Sequence, residues 1–380
     1  MKGGTRKRGD TWSYYFDMGT VDGKRKKKEK GGFRTRKEAD DELRNAMTEF
    51  KKCGSIVDES NISVADYFDY WFKEYVLINL KYNTQQAYII VIDNHIKPLL
   101  GAYKLKSLTP AKLQEFLTCK YLNGFAKNSL GNFYGVLSGA LKTAVYPYQF
   151  IKENPMQYVK MPKFHNTPND KDDLKVITLK QFNKIIERFP QGSNFYIPLQ
   201  IGFSTGMRAA EVCGLTWDCI DLENNTIKVE KILIGKGKGI WEFGTPKSSS
   251  SNRTITIGKT LVNILKRNQL WQKSNKLKYG DHYKKTDFVC TKENGENITT
   301  DSLKYLSRVV NYELGIRFHF HSLRHTHATM LLESGAEPKD IQARLGHSKL
   351  ATTMDTYSHV TAKMKNDTVN IFENMLATNK

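Results

Sequence analysis

The 380 residues carry 59 Lys and Arg against 39 Asp and Glu, a net charge of +20, and 39% of them are hydrophobic and 11% aromatic; such a chain is apolar enough to fold as two or three domains, and its charge points to a polyanionic partner. The longest apolar runs, such as Tyr88 to Ile92, fall far short of the roughly 20 residues that cross a bilayer, and residues 1–8 lack the apolar core of a signal peptide. A cytoplasmic protein without a membrane partner is expected, and five scattered cysteines (Cys53, Cys119, Cys213, Cys219, Cys290), never in a CxxC pair, fit neither a disulfide scaffold nor a zinc finger.

Charge is concentrated at the start, where residues 1–37 hold thirteen Lys and Arg against four acids. Trp12-Ser13-Tyr14-Tyr15-Phe16 is a run of strand formers, Val21-Asp22-Gly23 supplies turn residues, and Lys24 to Lys30 returns as a basic strand. Thr35 with Glu38 three residues on reads as a helix start, and Ala39, Leu43, Ala46, Met47 and Phe50 give that helix an apolar stripe. The pattern predicts a three-stranded sheet backed by one helix over residues 1–60. A solvated lysine-rich tail is the competing reading, against which the interleaved aromatic residues argue.

After a polar stretch at residues 53–61, Val64, Tyr67, Phe68, Trp71, Phe72 and Tyr75 fall at helical spacing. Further helices are predicted at 83–96, at 109–121 with Thr109 as cap and Pro110 in first position, and at 126–146. Residues 62–158 therefore read as an all-helical bundle whose aromatic stripes are core. Pro155, Pro162 and Pro168 among Asn and Asp residues mark 155–175 as a linker. From 174 to 380, helices beginning at Thr178 and near Lys259 enclose strands and turns between 221 and 257, a turn falls at Asn294-Gly295, and a last amphipathic helix is expected at 361–377. The fold class is mainly α with small β-sheets, in three domains at 1–60, 62–158 and 174–380.

Four of the nine histidines fall in Phe318-His319-Phe320-His321-Ser322-Leu323-Arg324-His325-Thr326-His327. His321 and His325, four apart, match the spacing of two zinc ligands, but the glutamate of an HExxH site is missing and Arg324 sets a fixed positive charge beside any cation. Packing or capping is the plain alternative, most of all for His325 and His327. His321 and Arg324, three apart on one helix face, offer a titratable nitrogen beside a fork of donors, which suits a phosphate. Leu345-Gly346-His347-Ser348 and Met354-Asp355-Thr356-Tyr357-Ser358-His359 follow downstream, while Ser204-Thr205-Gly206-Met207-Arg208 sets an arginine where a helix starts. Gly235-Lys236-Gly237-Lys238-Gly239 lacks the spacing of a P-loop.

The set Arg208 in TGMRAAEVCGL, His321 and Arg324 in HSLRHT, His347 in LGHS and Tyr357 in TTMDTYSHV resembles the active-site pattern of the tyrosine recombinases, or phage integrases. The resemblance extends over most of the chain, to lambda-type integrases and those of conjugative transposons, and implies an arm-binding, a core-binding and a catalytic domain in that order. It implies a site-specific recombinase of a mobile element that cuts and rejoins double-stranded DNA through a 3′-phosphotyrosine at Tyr357, in integration and excision, without ATP, metal or other cofactor. Arg208 and Arg324 would then hold the scissile phosphate and His347 hydrogen-bond it, His321 is the candidate base, and Lys247, in Gly244-Thr245-Pro246-Lys247 before a flexible serine-rich tip, is the general acid with Lys236 and Lys238 as fallbacks. Glu211 either orients these groups or is an exposed helical glutamate. The implied partners are core-type and arm-type DNA sites, a homotetramer on synapsed DNA that exchanges its C-terminal helix, and an accessory excisionase or DNA-bending protein. A type IB-like topoisomerase and a non-catalytic DNA-binding regulator are the rival readings; the basic N-terminal module speaks against the first and the complete residue set against the second.

Overall fold

The computed structural model describes residues 3–21, 24–53, 61–164, 176–237, 239–246, 249–351 and 354. Contacts divide the chain into two compact units, Met1–Asn166 and Thr167–Lys380.

The first unit opens with the antiparallel sheet β1 (Gly3–Arg8), β2 (Thr11–Val21) and β3 (Lys24–Phe33), in that order. Strand alternation turns Tyr14 and Phe16 to one face, where they join Phe33 and cover Ala39, Leu43 and Ala46 of α1 (Arg36–Cys53). The Thr35 hydroxyl accepts from the Glu38 amide at 3.2 Å, and the Glu38 carboxylate accepts from the Arg34 amide at 3.1 Å, so the predicted helix start is present. The lysine run is therefore a strand of a folded module rather than a tail. The turn residues Asp22 and Gly23 lie outside the described residues.

The helical part of this unit begins at Ser63, whose hydroxyl caps α2 (Val64–Trp71) by accepting from Asp66 N. Val64, Tyr67, Phe68 and Trp71 are buried at the spacing of one helix face. A π-turn at Phe72–Val76 carries the chain into α3 (Leu77–Asn79), and a second at Ile92–Ile96 joins α4 (Tyr82–Val91) to α5 (Lys97–Leu100). The helix expected at 83–96 is thus longer, because one wide turn keeps Ile92, Ile96 and Leu100 on the core side. Thr109 caps α6 (Pro110–Leu122), and α7 (Lys127–Val145) crosses the bundle, where the Tyr67 hydroxyl donates to Ala140 O at 2.6 Å. The linker expected from Pro155 begins later. Asn154 caps a 3₁₀ turn at Pro155–Tyr158, Met156 and Val159 are buried in the helical core, and the Gln114 amide clamps the backbone of Lys160. Residues 165–175 of that stretch lie outside the described residues, as do 54–60.

The second unit runs α8 (Leu179–Arg188), α9 (Tyr196–Thr205), α10 (Ala209–Cys213), β4 (Ile220–Asp221), β5 (Thr226–Val229), β6 (Ile232–Gly237), β7 (Ile240–Gly244), β8 (Arg253–Thr256), α11 (Lys259–Tyr279), α12 (Thr300–Leu314), α13 (Ser322–Glu333) and α14 (Pro338–Leu345). A complete capping box at Thr178 and Gln181 starts α8. β4, β5 and β8 form one small antiparallel sheet and β6 and β7 a hairpin; Ile227 and Ile255, paired across β5 and β8, point into a core shared with Ile201, Val212, Leu265, Leu306 and Leu323. The mainly helical fold with small sheets is the one expected. The helix expected at 361–377 lies outside the described residues. Among those described, no helix is long and apolar enough to cross a membrane.

Candidate active site

Two left-handed glycines shape the site. At the end of α9, Gly206 has φ +66°, and a Cβ there would stand 2.7 Å from Leu345 Cδ2. At the end of α14, Gly346 has φ +68°, and a Cβ would stand 2.9 Å from Ser250 O. Only glycine both turns the chain and allows these approaches. The first turn places Arg208 at the N-cap of α10; the second ends α14 against it.

Arg208 is held from below by Glu211, one turn on. The Arg208 amide donates to Glu211 Oε2 at 2.9 Å and its Nη1 to Oε1 at 2.8 Å. Glu211 is 2% exposed. Burial alone would raise its carboxyl pKa, but Arg253 and Arg208 outweigh that and hold it below the ordinary range. The exposed-glutamate alternative is therefore excluded.

Arg324, three residues after His321 on α13, is 1% exposed. Its Nη1 donates to Gly206 O at 2.9 Å and its Nη2 to Leu345 O at 2.7 Å. Arg208 Nη2 reaches Gly346 O at 3.4 Å, and Arg253 Nε donates to Arg344 O at 2.6 Å. Three successive carbonyls, those of Arg344, Leu345 and Gly346, thus receive three guanidinium groups. The last carbonyls of a helix have no partner within it and carry its negative end, so α14 supplies an acceptor row where cations pack together.

The histidines stand in this positive field. His347, beyond Gly346, is half-buried, and desolvation together with Arg324, Arg208 and Arg253 pulls its pKa down to about 4. The His321 imidazole is exposed on one side and desolvated by the protein on the other; that desolvation, then His325, Arg324, His319 and Arg208, keep it below its ordinary value. Both rings are neutral near pH 7. His325 packs edge-on against His321, ring centroids 4.7 Å apart. His327 has a structural place: with Nδ1 assigned the proton by its partners, it donates to Phe203 O at 2.9 Å and accepts from Arg344 Nε at 2.9 Å, while burial and Arg344 lower its pKa to about 4.

Arg208, His321, Arg324 and His347 are thus brought together at one helix end. Lys247 and Tyr357 lie outside the described residues. The flanks of Lys247 are visible: β7 ends at Gly244, and Ser249–Ser251 form a 3₁₀ turn in which Ser251 is buried. β7 and β8 flank the segment without pairing to each other. Of the fallback lysines, Lys236 lies 3.5 Å from Glu242 on the neighbouring strand, and Lys238 is outside the described residues. Sequence reasoning missed Arg253 and Arg344. A signal for the first was present: Arg253 shares strand parity with Ile255 and Ile257, both buried, so its side chain had to enter the interior and find an acid there. Among the described residues, Asp218, Cys219 and Glu230 group their ligand atoms within 4.8 Å, but Lys231 and Lys228 each take one of the carboxylates at 2.7 Å.

Comparison with known proteins places this geometry. The pattern of the phage integrase family matches residues 174–364, that of the phage integrase N-terminal SAM-like domain residues 63–120, and that of an arm DNA-binding domain residues 5–50. The chain belongs to the phage integrase, or tyrosine recombinase, family. It is a site-specific DNA recombinase of the integrase type. It is 27% identical over 351 residues to a XerC-like tyrosine recombinase of Caldanaerobacter subterraneus subsp. tengcongensis, covering 88% of this chain and 89% of that one. With the ICEBs1 integrase of Bacillus subtilis it shares 27% identity over 296 residues, covering 74% and 75%. In fold it is similar to the Tn1549 transposon integrase in complex with transposon right end DNA, at a TM-score of 0.64 and 22% identity over 80% of this chain and 99% of that one. The lambda integrase tetramer bound to a Holliday junction aligns at a TM-score of 0.58 and 17% identity, over 87% and 89%.

Proposed function

We propose that the chain is the integrase of a mobile genetic element, that it cleaves DNA through Tyr357, and that Arg208, Lys247, His321, Arg324 and His347 are its catalytic residues. The phenolic oxygen of Tyr357 attacks the scissile phosphorus, forming a 3′-phosphotyrosine and expelling the 5′ oxygen of the next nucleotide, which takes a proton from Lys247. His321, neutral at the working pH, accepts the phenol proton, because an imidazole must be unprotonated to act as base. Arg208 and Arg324 stabilise the charge on the nonbridging oxygens, and His347 donates a hydrogen bond to the same group. The phosphodiester bond energy is kept in the tyrosine link, so a 5′ hydroxyl from another strand reverses the step without ATP.

The observation that carries this reading is the meeting of Arg208 and Arg324 on adjacent carbonyls at the end of α14, with His321 and His347 in their field. A guanidinium fixed beforehand by buried acceptors needs no reorganisation when charge develops on the phosphate. Residues 1–60 would hold arm-type sites, and 62–158 with 174–380 would clamp the crossover site. Assembly as a tetramer on synapsed DNA, exchange of the segment 361–377 between protomers, accessory proteins that bias excision, and a cytoplasmic location belong to the same reading.

The test is a nicked duplex spanning an end of the element that carries the gene, incubated with the full-length chain and run on a denaturing gel. Wild type should leave protein covalently on the strand, equally with and without EDTA. Absence of an adduct on every element end would favour a DNA-binding regulator; an adduct that relaxes supercoils without exchanging partners would favour a topoisomerase. Deleting residues 1–60 should remove binding to distal arm sites and spare cleavage of the short duplex.

A further inference from the structure

We propose that Arg253 is a positioning residue for strand cleavage, the guanidinium that locks Arg208 and the His347 turn into one frame; this rests on the site reading above and goes beyond it. Arg253 begins β8, with its side chain 6% exposed. Its Nη2 donates to Glu211 Oε2 at 3.0 Å and its Nη1 lies 3.3 Å from Oε1, so the carboxylate that holds Arg208 is itself gripped from the other side. The same Nη1 donates to Ser251 O at 3.0 Å, four residues after Lys247, and Nε donates to Arg344 O, three residues before His347. One side chain thereby ties together α10, the approach to β8 and the end of α14.

The arrangement also explains the charge balance. Arg208 and Arg253 share the single carboxylate of Glu211; Arg208 also donates to the carbonyl of Gly346, and Arg253 to those of Arg344 and Ser251. A buried carboxylate with one guanidinium could tilt toward it; with two it is fixed along the line between them. The orientation of Arg208 toward a phosphate is then set by a residue 45 positions away that need not touch DNA. Lysine at 253 keeps the charge but cannot span Glu211, Ser251 and Arg344 O together, because its donors all sit on one ammonium nitrogen rather than being spread over a planar fork.

The experiment uses the full-length protein and the nicked duplex whose cleavage position the covalent capture has mapped. Arg253→Lys, Arg208→Lys and the double variant are compared for duplex affinity, thermal midpoint and the single-turnover rate of adduct formation at saturating DNA. Arg253→Lys should bind within about twofold of wild type yet cleave about 10²-fold more slowly, the cost of a misplacement of roughly 1 Å. Added to Arg208→Lys, it should cost less than about threefold more, because it acts through Arg208. Wild-type cleavage by Arg253→Lys, or losses that multiply in the double variant, would overturn the proposal. If Arg253→Lys also lowers the thermal midpoint the cycle still decides, since a general loss of fold multiplies with the Arg208 loss. Unchanged cleavage by Arg208→Lys would instead sink the site reading on which the proposal rests.

Discussion

The helical part of the first unit and the candidate active site of the second bury their residues by opposite means. In the first, Trp71 lies within 6 Å of Phe68, Tyr75 and Tyr88 by ring centroid, and the core is built of apolar faces. Its buried cation, Lys120, is lodged against the rings of Phe116 and Phe125, with His95 Nδ1 at 3.3 Å. In the second, buried guanidinium groups are held by helix-end carbonyls and by Glu211. Apolar packing tolerates adjustment of shape, whereas a cation fixed by directional donors fails when one acceptor moves. The difference assigns stability to the first region and precision to the second.

Substitutions separate these roles. The largest effect on stability is expected from Trp71→Ala, which should lower it by about 4 kcal/mol in urea unfolding through the cavity it leaves. Gly346→Ala forces a left-handed residue to carry a Cβ against Ser250 O and should lose about 2 kcal/mol, with adduct formation on the nicked duplex slowed far more than binding. Acidification comes next. His327 and His347 have pKa values near 4 in the folded chain, against about 6.5 when unfolded, so between those values the unfolded state binds more protons. Stability is therefore full above about pH 6.5 and falls as the pH drops toward 4, and the thermal midpoint in scanning calorimetry should fall over the same window. His327→Phe should flatten that slope. The smallest effect is expected for Tyr67→Phe, about 1 kcal/mol from the lost bond to Ala140 O, with cleavage unchanged. A Tyr67→Phe chain that lost cleavage, or a Gly346→Ala chain that kept it, would break the contrast between the regions.

The same contrast decides what the sequence reveals. Periodic apolar residues such as Val64, Tyr67, Phe68 and Trp71 declare their helix and its buried face, because every position obeys one spacing. Capping by Ser63, Thr109 or Thr178 is local too, though of these the sequence marks only Thr109 as a cap and Thr178 as the start of a helix. The π-turns were not legible, since no residue pattern distinguishes a wide turn within an apolar helix. In the site, Arg208, His321, Arg324 and His347 stand out by their motifs. The groups that align them are less legible: in sequence Glu211 reads equally as an orienting acid or an exposed one, Arg253 is marked only by its parity with Ile255 and Ile257, and Arg344 is hidden among 59 Lys and Arg. Apart from Ser251, two residues before Arg253, their partners lie at least 42 positions from Arg253 and at least 17 from Arg344, and only folding brings them together at the end of α14.

The central claim, that Tyr357 is the nucleophile, is tested most directly by digesting the trapped protein–DNA adduct and sequencing the nucleotide-bearing peptide by mass spectrometry. The phosphate should be found on Tyr357, and Tyr357→Phe should bind the duplex with near-normal affinity and give no adduct. A nucleotide on any other side chain, or an adduct formed by Tyr357→Phe, would contradict the account.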